Sequence, residues 1–522
     1  MARTFQYRRF LEILFAESPP FSADRRRFVA ATAASTILTG CGSFDRWVVG
    51  DNNRLNEEVM VLGGGIAGLA AAYHLKKNKI HYRLYEASSR LGGRVQSLKF
   101  FNADHQIAEM GAEFIEGSHK EVLAMCKDFN LTAEDVSFEP GVDRAVYWIK
   151  GKSMSEREFR RQLKPIAIKL AQTRQEAFAA LPTDITPRGL AGFDRASAVD
   201  ERSLADLISA LRTGANKEIL EAFEGLCVAE WGVDAKEINL LQFLARLDFE
   251  ERTMAGGHNR IYRVKGGASQ LIDILGERVQ GIVANTALKL EHRLVAIRSR
   301  SNGFECTFKT PNGSDVIWAR QVICTLPWSV LKDVDGIQSL AIHPNAKVLL
   351  AQAKYASHSK VVCSFKDPHW KKRNPGEQKF QGQFRGELLG QNYWDSSRGQ
   401  PGTCGLLTSQ RGGTKGLDTG SDAVAETLKD IRKFYKGQSA EENSQVTNWS
   451  HKPFLKGSRY NIGPGNYLKY LEFISDEKPD STFYFAGEHI SFKDFGTMNG
   501  AIETAKTAAE TAMKKAYLKS YI

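Results

Sequence analysis

Six residues near the start of the chain, Gly63-Gly64-Gly65-Ile66-Ala67-Gly68, have the composition of a turn that holds a phosphate. They contain GxGxxG, in which Gly63 permits a tight turn, Gly65 lets backbone approach a pyrophosphate, and Gly68 lets a helix lie close to a strand. Glu86 follows Gly63 by 23 residues, near the interval at which a carboxylate accepts hydrogen bonds from both hydroxyls of a ribose. Ala87-Ser88-Ser89-Arg90-Leu91-Gly92-Gly93-Arg94 then supplies two guanidiniums for phosphate charge and two glycines for close backbone approach. The chemistry implied is the binding of a dinucleotide.

Such a site needs a rigid frame. Val59-Met60-Val61-Leu62 is a short apolar run suited to a buried parallel strand, Ile66 to Lys77 is rich in Ala and Leu and reads as a helix, and His81 to Tyr85 reads as a second strand ending at Glu86. The positive end of that helix then faces the phosphates. With 522 residues the chain exceeds what one hydrophobic core serves, so two domains are expected, woven together or in series. Hydrophobic residues at 42% and charged residues at 25% are ordinary globular usage, which excludes a largely disordered chain. The formal charge of +11 is scattered, with no dense run outside Arg25-Arg26-Arg27 and no nucleic-acid module, so nucleic acid is not an expected partner. Besides Cys41, the cysteines at 126, 227, 306, 324, 363 and 404 form no CxxC pair or metal spacing, and no metal is expected.

The segment Arg90-Leu91-Gly92-Gly93-Arg94 resembles that of the flavin-containing amine oxidases, whose members contact the FAD pyrophosphate and flavin edge there. The resemblance continues in separated blocks: Ala108-Glu109-Met110-Gly111-Ala112-Glu113-Phe114, Val264 to Leu271, Leu294 to Ile297 (the strand whose backbone meets adenine), Val322 to Pro327, Tyr484 to His489 and Gly496 to Ala501. It implies an α/β fold with a Rossmann-like FAD domain assembled from 55–119, 262–345 and 450–522. An α+β substrate domain would take 120–261, where Leu204 to Leu211 and Lys217 to Phe223 suit amphipathic helices, and the strand-rich 346–449. The cofactor implied is FAD, held by Gly63, Gly65, Ile66, Ala67, Gly68, Glu86, Ala87, Arg90, Gly92, Gly93, Arg94, Gly111, Ala112, Glu113, Leu294, Gly487, Glu488, Thr497 and Met498. Arg459 stands where monoamine oxidases carry the cysteine that links flavin covalently, so non-covalent FAD is expected.

The activity implied is oxidation of an amine to an imine, which water cleaves to a carbonyl compound, with oxygen reduced to hydrogen peroxide. Lys360 aligns with the family lysine that holds a water against the flavin. Tyr460 matches one wall of the aromatic cage around the substrate amine, while the other wall falls at Thr497, which is not aromatic and moves the resemblance toward polyamine oxidases. Glu116 resembles the acid that such enzymes direct at a distant ammonium. With Glu113 it argues for di- or polyamines over amino acids, whose carboxylate calls for an Arg fork. An L-amino acid oxidase or a desaturase of the same fold is the alternative. Trp231, Trp328, Trp394 and Trp449 are expected as core or cleft wall.

Ahead of all this, Arg25-Arg26-Arg27-Phe28-Val29 precedes Ala30 to Leu38, an apolar stretch too brief to span a bilayer, and then Leu38-Thr39-Gly40-Cys41. The pattern resembles a twin-arginine export signal over 1–40 with a lipobox, in which a diacylated Cys41 anchors a periplasmic bacterial lipoprotein.

Overall fold

The computed structural model describes residues 59–137, 146–178, 196–213, 215–255, 260–280, 287–368, 370, 384–386, 391–435, 438, 440–476 and 481–518. The expected export signal over 1–40 and the expected lipidation site Cys41 lie outside them.

The apolar run opens a parallel sheet. Strand β1 (Val59–Leu62) leads into helix α1 (Ile66–Lys77) and strand β2 (Tyr82–Tyr85); β3 (Leu288–Lys289), β4 (Gln321–Cys324) and β5 (Phe483–Phe485) complete it in the order β3-β2-β1-β4-β5, every neighbouring pair parallel. All residues of β1 and β4 are buried, as befits strands covered on both faces. A core of Leu69, Ala70, Leu75, Ile323, Ile502 and Ala505 joins the sheet to α1 and to the last helix, α2 (Met498–Leu518). A Cβ at Gly68 would lie 1.8 Å from the carbonyl oxygen of Gly63, so α1 can start this close to the turn only on glycine.

A second sheet of seven strands runs in the order Asn443–Asn448, Ser359–Phe365, Gly405–Arg411, Asn392–Asp395, Phe384–Gly386, Val146–Ile149 and Lys152–Met154. It is antiparallel except where Phe384–Gly386 meets Val146–Ile149. The helix Leu204–Leu211 packs against the helix Lys217–Trp231, which in turn packs against the strands Phe384–Gly386 and Val146–Ile149. Ser203 and Asp206 form a reciprocal cap that starts the first. The second outruns its expected end at Phe223 because Leu226, Cys227, Ala229 and Trp231 continue its buried face, until Gly232 turns left-handed at φ 72°. The architecture is thus α/β with two domains. Among the described residues no helix is long and apolar enough to cross a membrane.

Candidate active site

The β1–α1 turn forms one wall of a cavity and the Gly487–Met498 segment, ahead of α2, forms another. Its lining includes Gly63, Gly65, Ile66 and Ala67, then Glu86, Ala87, Arg90, Gly92, Gly93 and Arg94, then Ala112, Gly487, Glu488, Thr497 and Met498. Fifteen of the nineteen residues expected to hold a dinucleotide therefore share one space.

Its donors and acceptors are arranged for a charged, hydroxyl-rich ligand. Helix α1 begins at Gly65 with no side-chain cap and no acid in its first turn, which leaves its terminal N–H groups available to an anion. Glu86 Oε2 accepts from the backbone N–H of Gly64 at 2.6 Å, and Oε1 accepts from the N–H and hydroxyl of Ser88, both at 2.8 Å. Oε2, with one partner, keeps a lone pair for a ribose hydroxyl. Arg90 donates to the carbonyls of Leu91 (3.0 Å) and Gly93 (2.6 Å), which fixes its guanidinium on its own loop. Arg94 donates to Glu488 Oε1 at 2.7 Å and to the Ser458 carbonyl at 2.9 Å. Burial alone would raise the Glu488 carboxyl; Arg94 above all brings it below the usual carboxylate range. Its other oxygen, Oε2, is buried with no partner among the described residues, an acceptor awaiting a donor from the cavity. These features fit FAD: uncapped amides that would hold its phosphates, a carboxylate that would accept from a ribose hydroxyl, and a buried unpartnered acceptor that would take a further donor from it.

Four expected residues do not line the cavity. Gly68 and Gly111 act from behind: a Cβ on Gly111 would lie 1.9 Å from the Arg94 carbonyl oxygen, so it is a packing position. Leu294 sits in the strand Arg293–Arg300 of a separate three-stranded antiparallel sheet, 7% exposed and turned into the core. Glu113 points away, into an ion pair with Lys360 at 3.0 Å.

Of the residues expected in catalysis, only Thr497 is in the lining. Its hydroxyl donates to the Asp494 carbonyl (2.7 Å) and accepts from the Gly500 N–H (3.1 Å), so it caps α2, a task an aromatic side chain could not perform. Tyr460 is 3% exposed, with ring centroids of Trp328 at 5.2 Å and Tyr355 at 5.6 Å, and its backbone N–H donates to Glu488 Oε1 at 3.2 Å. Glu116, 3% exposed, lies in a short strand paired with Ile261–Val264, and its N–H donates to His119 Nδ1 at 3.1 Å. Lys360 carries no spare donor in this arrangement: its ammonium bonds the carbonyls of Glu109 (3.2 Å) and Gly111 (3.0 Å) as well as Glu113. Lys360 thus sits in a buried ion pair with Glu113. All four tryptophans named from the sequence are buried.

Lys452, Pro453, Phe454 and Leu455 also wall the cavity and carry no motif that sequence reasoning could use. Thr325, Leu326 and Pro327 do too; their signal was the family-like block ending β4.

Residues 66–513 match the family described as flavin containing amine oxidoreductase. The chain belongs to this family. Over 87% of its length it is 25% identical to a flavin-dependent L-tryptophan oxidase of Lentzea aerocolonigenes, covering 98% of that protein. Amine oxidase [flavin-containing] B of Rattus norvegicus is 24% identical, with 87% of this chain and 85% of the relative covered. Among solved structures, cyclohexylamine oxidase from Brevibacterium oxydans superposes with a TM-score of 0.72 at 19% identity, covering 88% of this chain and 99% of that one. A putrescine oxidase bound to putrescine gives 0.70 at 16%, with the same shares covered. As a family member the chain is an FAD-dependent oxidoreductase that acts on amines.

Proposed function

We propose that the chain oxidises primary or secondary amines to imines, which water cleaves to carbonyl compounds, with oxygen as the electron acceptor and hydrogen peroxide as product. The observation that carries this reading is the cavity itself, where turn and helix from opposite ends of the chain enclose an orphaned Glu488 acceptor, in a member of the amine oxidoreductase family. Bound FAD supplies the two-electron oxidation of the C–N bond. The protein's part is to hold it through Gly65, Ile66 and Ala67 at its anionic centre and Glu86 at its ribose, and through Thr497 and Met498 at the far end. Attachment is non-covalent, because Arg459 offers no thiol. The domain division at 55–119, 262–345 and 450–522 against 120–261 and 346–449 goes with this reading, and Tyr460 and Thr497 are its candidates for flanking the substrate amine.

Within the amines we favour di- or polyamines. The Glu113 half of that argument is weakened by its pairing with Lys360, and the preference rests on Glu116. Glu116→Gln should raise KM for putrescine more than for a monoamine of similar length. The second reading, an L-amino acid oxidase, is favoured by the similarity to the L-tryptophan oxidase. A peroxide assay over amines and L-amino acids separates the two: the highest turnover on an amino acid would replace the first reading by the second. We further propose twin-arginine export and lipid anchoring at Cys41. Palmitate labelling that Cys41→Ser abolishes supports this, and a wild-type chain that takes up no label refutes it.

A further inference from the structure

The strand Ser359–Phe365 is buried at every residue, yet it carries a lysine at its second position. A buried ammonium must satisfy three N–H groups or pay a desolvation penalty of several kcal/mol. Lys360 satisfies them with the carbonyls of Glu109 (3.2 Å) and Gly111 (3.0 Å) and with Glu113 Oε2 (3.0 Å), while the Trp394 ring lies 5.3 Å from its Nζ. The other Glu113 oxygen accepts from Trp394 Nε1 (3.2 Å) and the Ser396 hydroxyl (3.3 Å), with Arg263 at 3.8 Å. Lysine and glutamate side chains are 3% and 2% exposed. Burial pushes the Glu113 carboxyl up, but Lys360, then Arg263, and the hydrogen bonds from Lys360 and Trp394 hold it below the usual carboxylate range.

The pair bears on the cavity through the turn it grips. Lys360 binds the carbonyls of Glu109 and Gly111 on either side of Met110, and Ala112, the next residue, lines the cavity. On its other side the turn is pressed against Arg94, whose carbonyl accepts from the Ala112 N–H at 3.2 Å. Arg94 in turn is a cavity residue. The turn is therefore clamped between the cavity's own arginine segment and an ammonium drawn from the other sheet.

We propose that Glu113 is a positioning residue for the flavin: through Lys360 it fixes the 109–113 turn behind the cofactor, and it cancels the lysine's charge so that the bound flavin does not feel a bare cation. This rests on the reading that the cavity holds FAD. Reduction adds negative charge to the cofactor, so an uncompensated cation nearby favours the reduced form. Glu113→Gln leaves Lys360 without its counter-charge, whereas Lys360→Met removes the cation and leaves Glu113. The double variant removes both.

The experiment is a spectroscopic redox titration of the bound FAD in wild type, Glu113→Gln, Lys360→Met and the double variant, with Glu113→Asp as the conservative control. The expected order is Glu113→Gln highest, wild type, Glu113→Asp and the double variant together, and Lys360→Met lowest. A tenfold change in the reduced-to-oxidised equilibrium, about 30 mV for two electrons, is the shift to look for between Glu113→Gln and wild type. Equal potentials in all FAD-bound variants, or variants that lose stability with no ordered shift, would overturn the proposal and leave the pair a structural one. Should Glu113→Gln not fold, Lys360→Met against Glu113→Asp decides by the same sign. A wild-type protein that binds no FAD instead sinks the reading of the cavity, which is a separate result.

Discussion

The β1–α1 turn and the Lys360 region are built of similar materials, charged side chains and backbone polar groups brought close together, and they use them in opposite ways. Around Gly65 the helix start is uncapped, Glu86 is aimed by the backbone N–H groups of Gly64 and Ser88 and by the Ser88 hydroxyl, and Glu488 keeps an oxygen without a partner among the described residues. Around Lys360 the three N–H groups and the Glu113 carboxylate are all met by protein groups. The first region leaves polar groups unmatched because a ligand is to match them; the second completes itself, since an unmatched charge so deeply buried would be costly. Saturation of hydrogen bonding thus distinguishes a ligand-holding region from a self-holding one better than charge content does.

The largest expected effect attacks the self-holding region. Lys360→Met leaves Glu113 buried beside Arg263 alone, and should lower unfolding stability by about 3–5 kcal/mol, with the Lys360→Met/Glu113→Gln double variant recovering most of it. Chemical denaturation measures both, and a double variant no better than the single one would deny the coupling.

Next comes Glu109, whose carboxyl accepts from the Ala268 N–H (2.7 Å) and the Ser97 hydroxyl (2.8 Å), and whose pKa is raised by burial to about 7 from an ordinary 4.5. The folded state binds this proton more tightly than the unfolded one. The stability gained is full below pH 4.5 and is lost as pH rises through about 7, a difference of about 3 kcal/mol. Glu109→Gln should flatten the fall in stability across that window; an unchanged pH profile would mean that Glu109 titrates normally.

Smaller effects belong to the ligand-holding region and should appear in FAD retention, not in folding. Glu86→Ala removes a charged acceptor and should weaken FAD binding by about 1.5–3 kcal/mol, read by equilibrium release of flavin fluorescence. Ser88→Ala removes one of the contacts that aim Glu86 and should weaken it by about 0.5–1.5 kcal/mol. Equal losses in the two variants would show that Ser88 touches the cofactor in its own right.

The same contrast explains what could be read in advance. Helix α1 runs from Ile66 to Lys77 as expected, and Gly63, Glu86 and Thr497 reach one cavity, because each is tied to a local requirement of backbone or spacing. The pairing of Lys360 with Glu113 spans 247 residues and that of Arg94 with Glu488 spans 394, and no local pattern announces a partner at such a distance. Leu294, which the family resemblance associates with adenine, lies in a strand that leaves the parallel sheet for a separate antiparallel one, a change of sheet that no local pattern announces. The wall at Lys452 to Leu455 is a turn of ordinary residues, placed there by its neighbours alone.

The order of strands across the parallel sheet has a consequence for the newly made chain. Strand β1 pairs with β4, which must wait for residue 321, and β4 pairs with β5, which must wait for residue 483. The cavity's last wall, at Thr497 and Met498, arrives later still. A ribosome-bound chain thus exposes half-built sheet edges until these later strands are made, and full enclosure of the flavin waits for residues 487–498. Chains arrested before Gly487 should bind no FAD however long they are left, and should depend on chaperones in proportion to that wait.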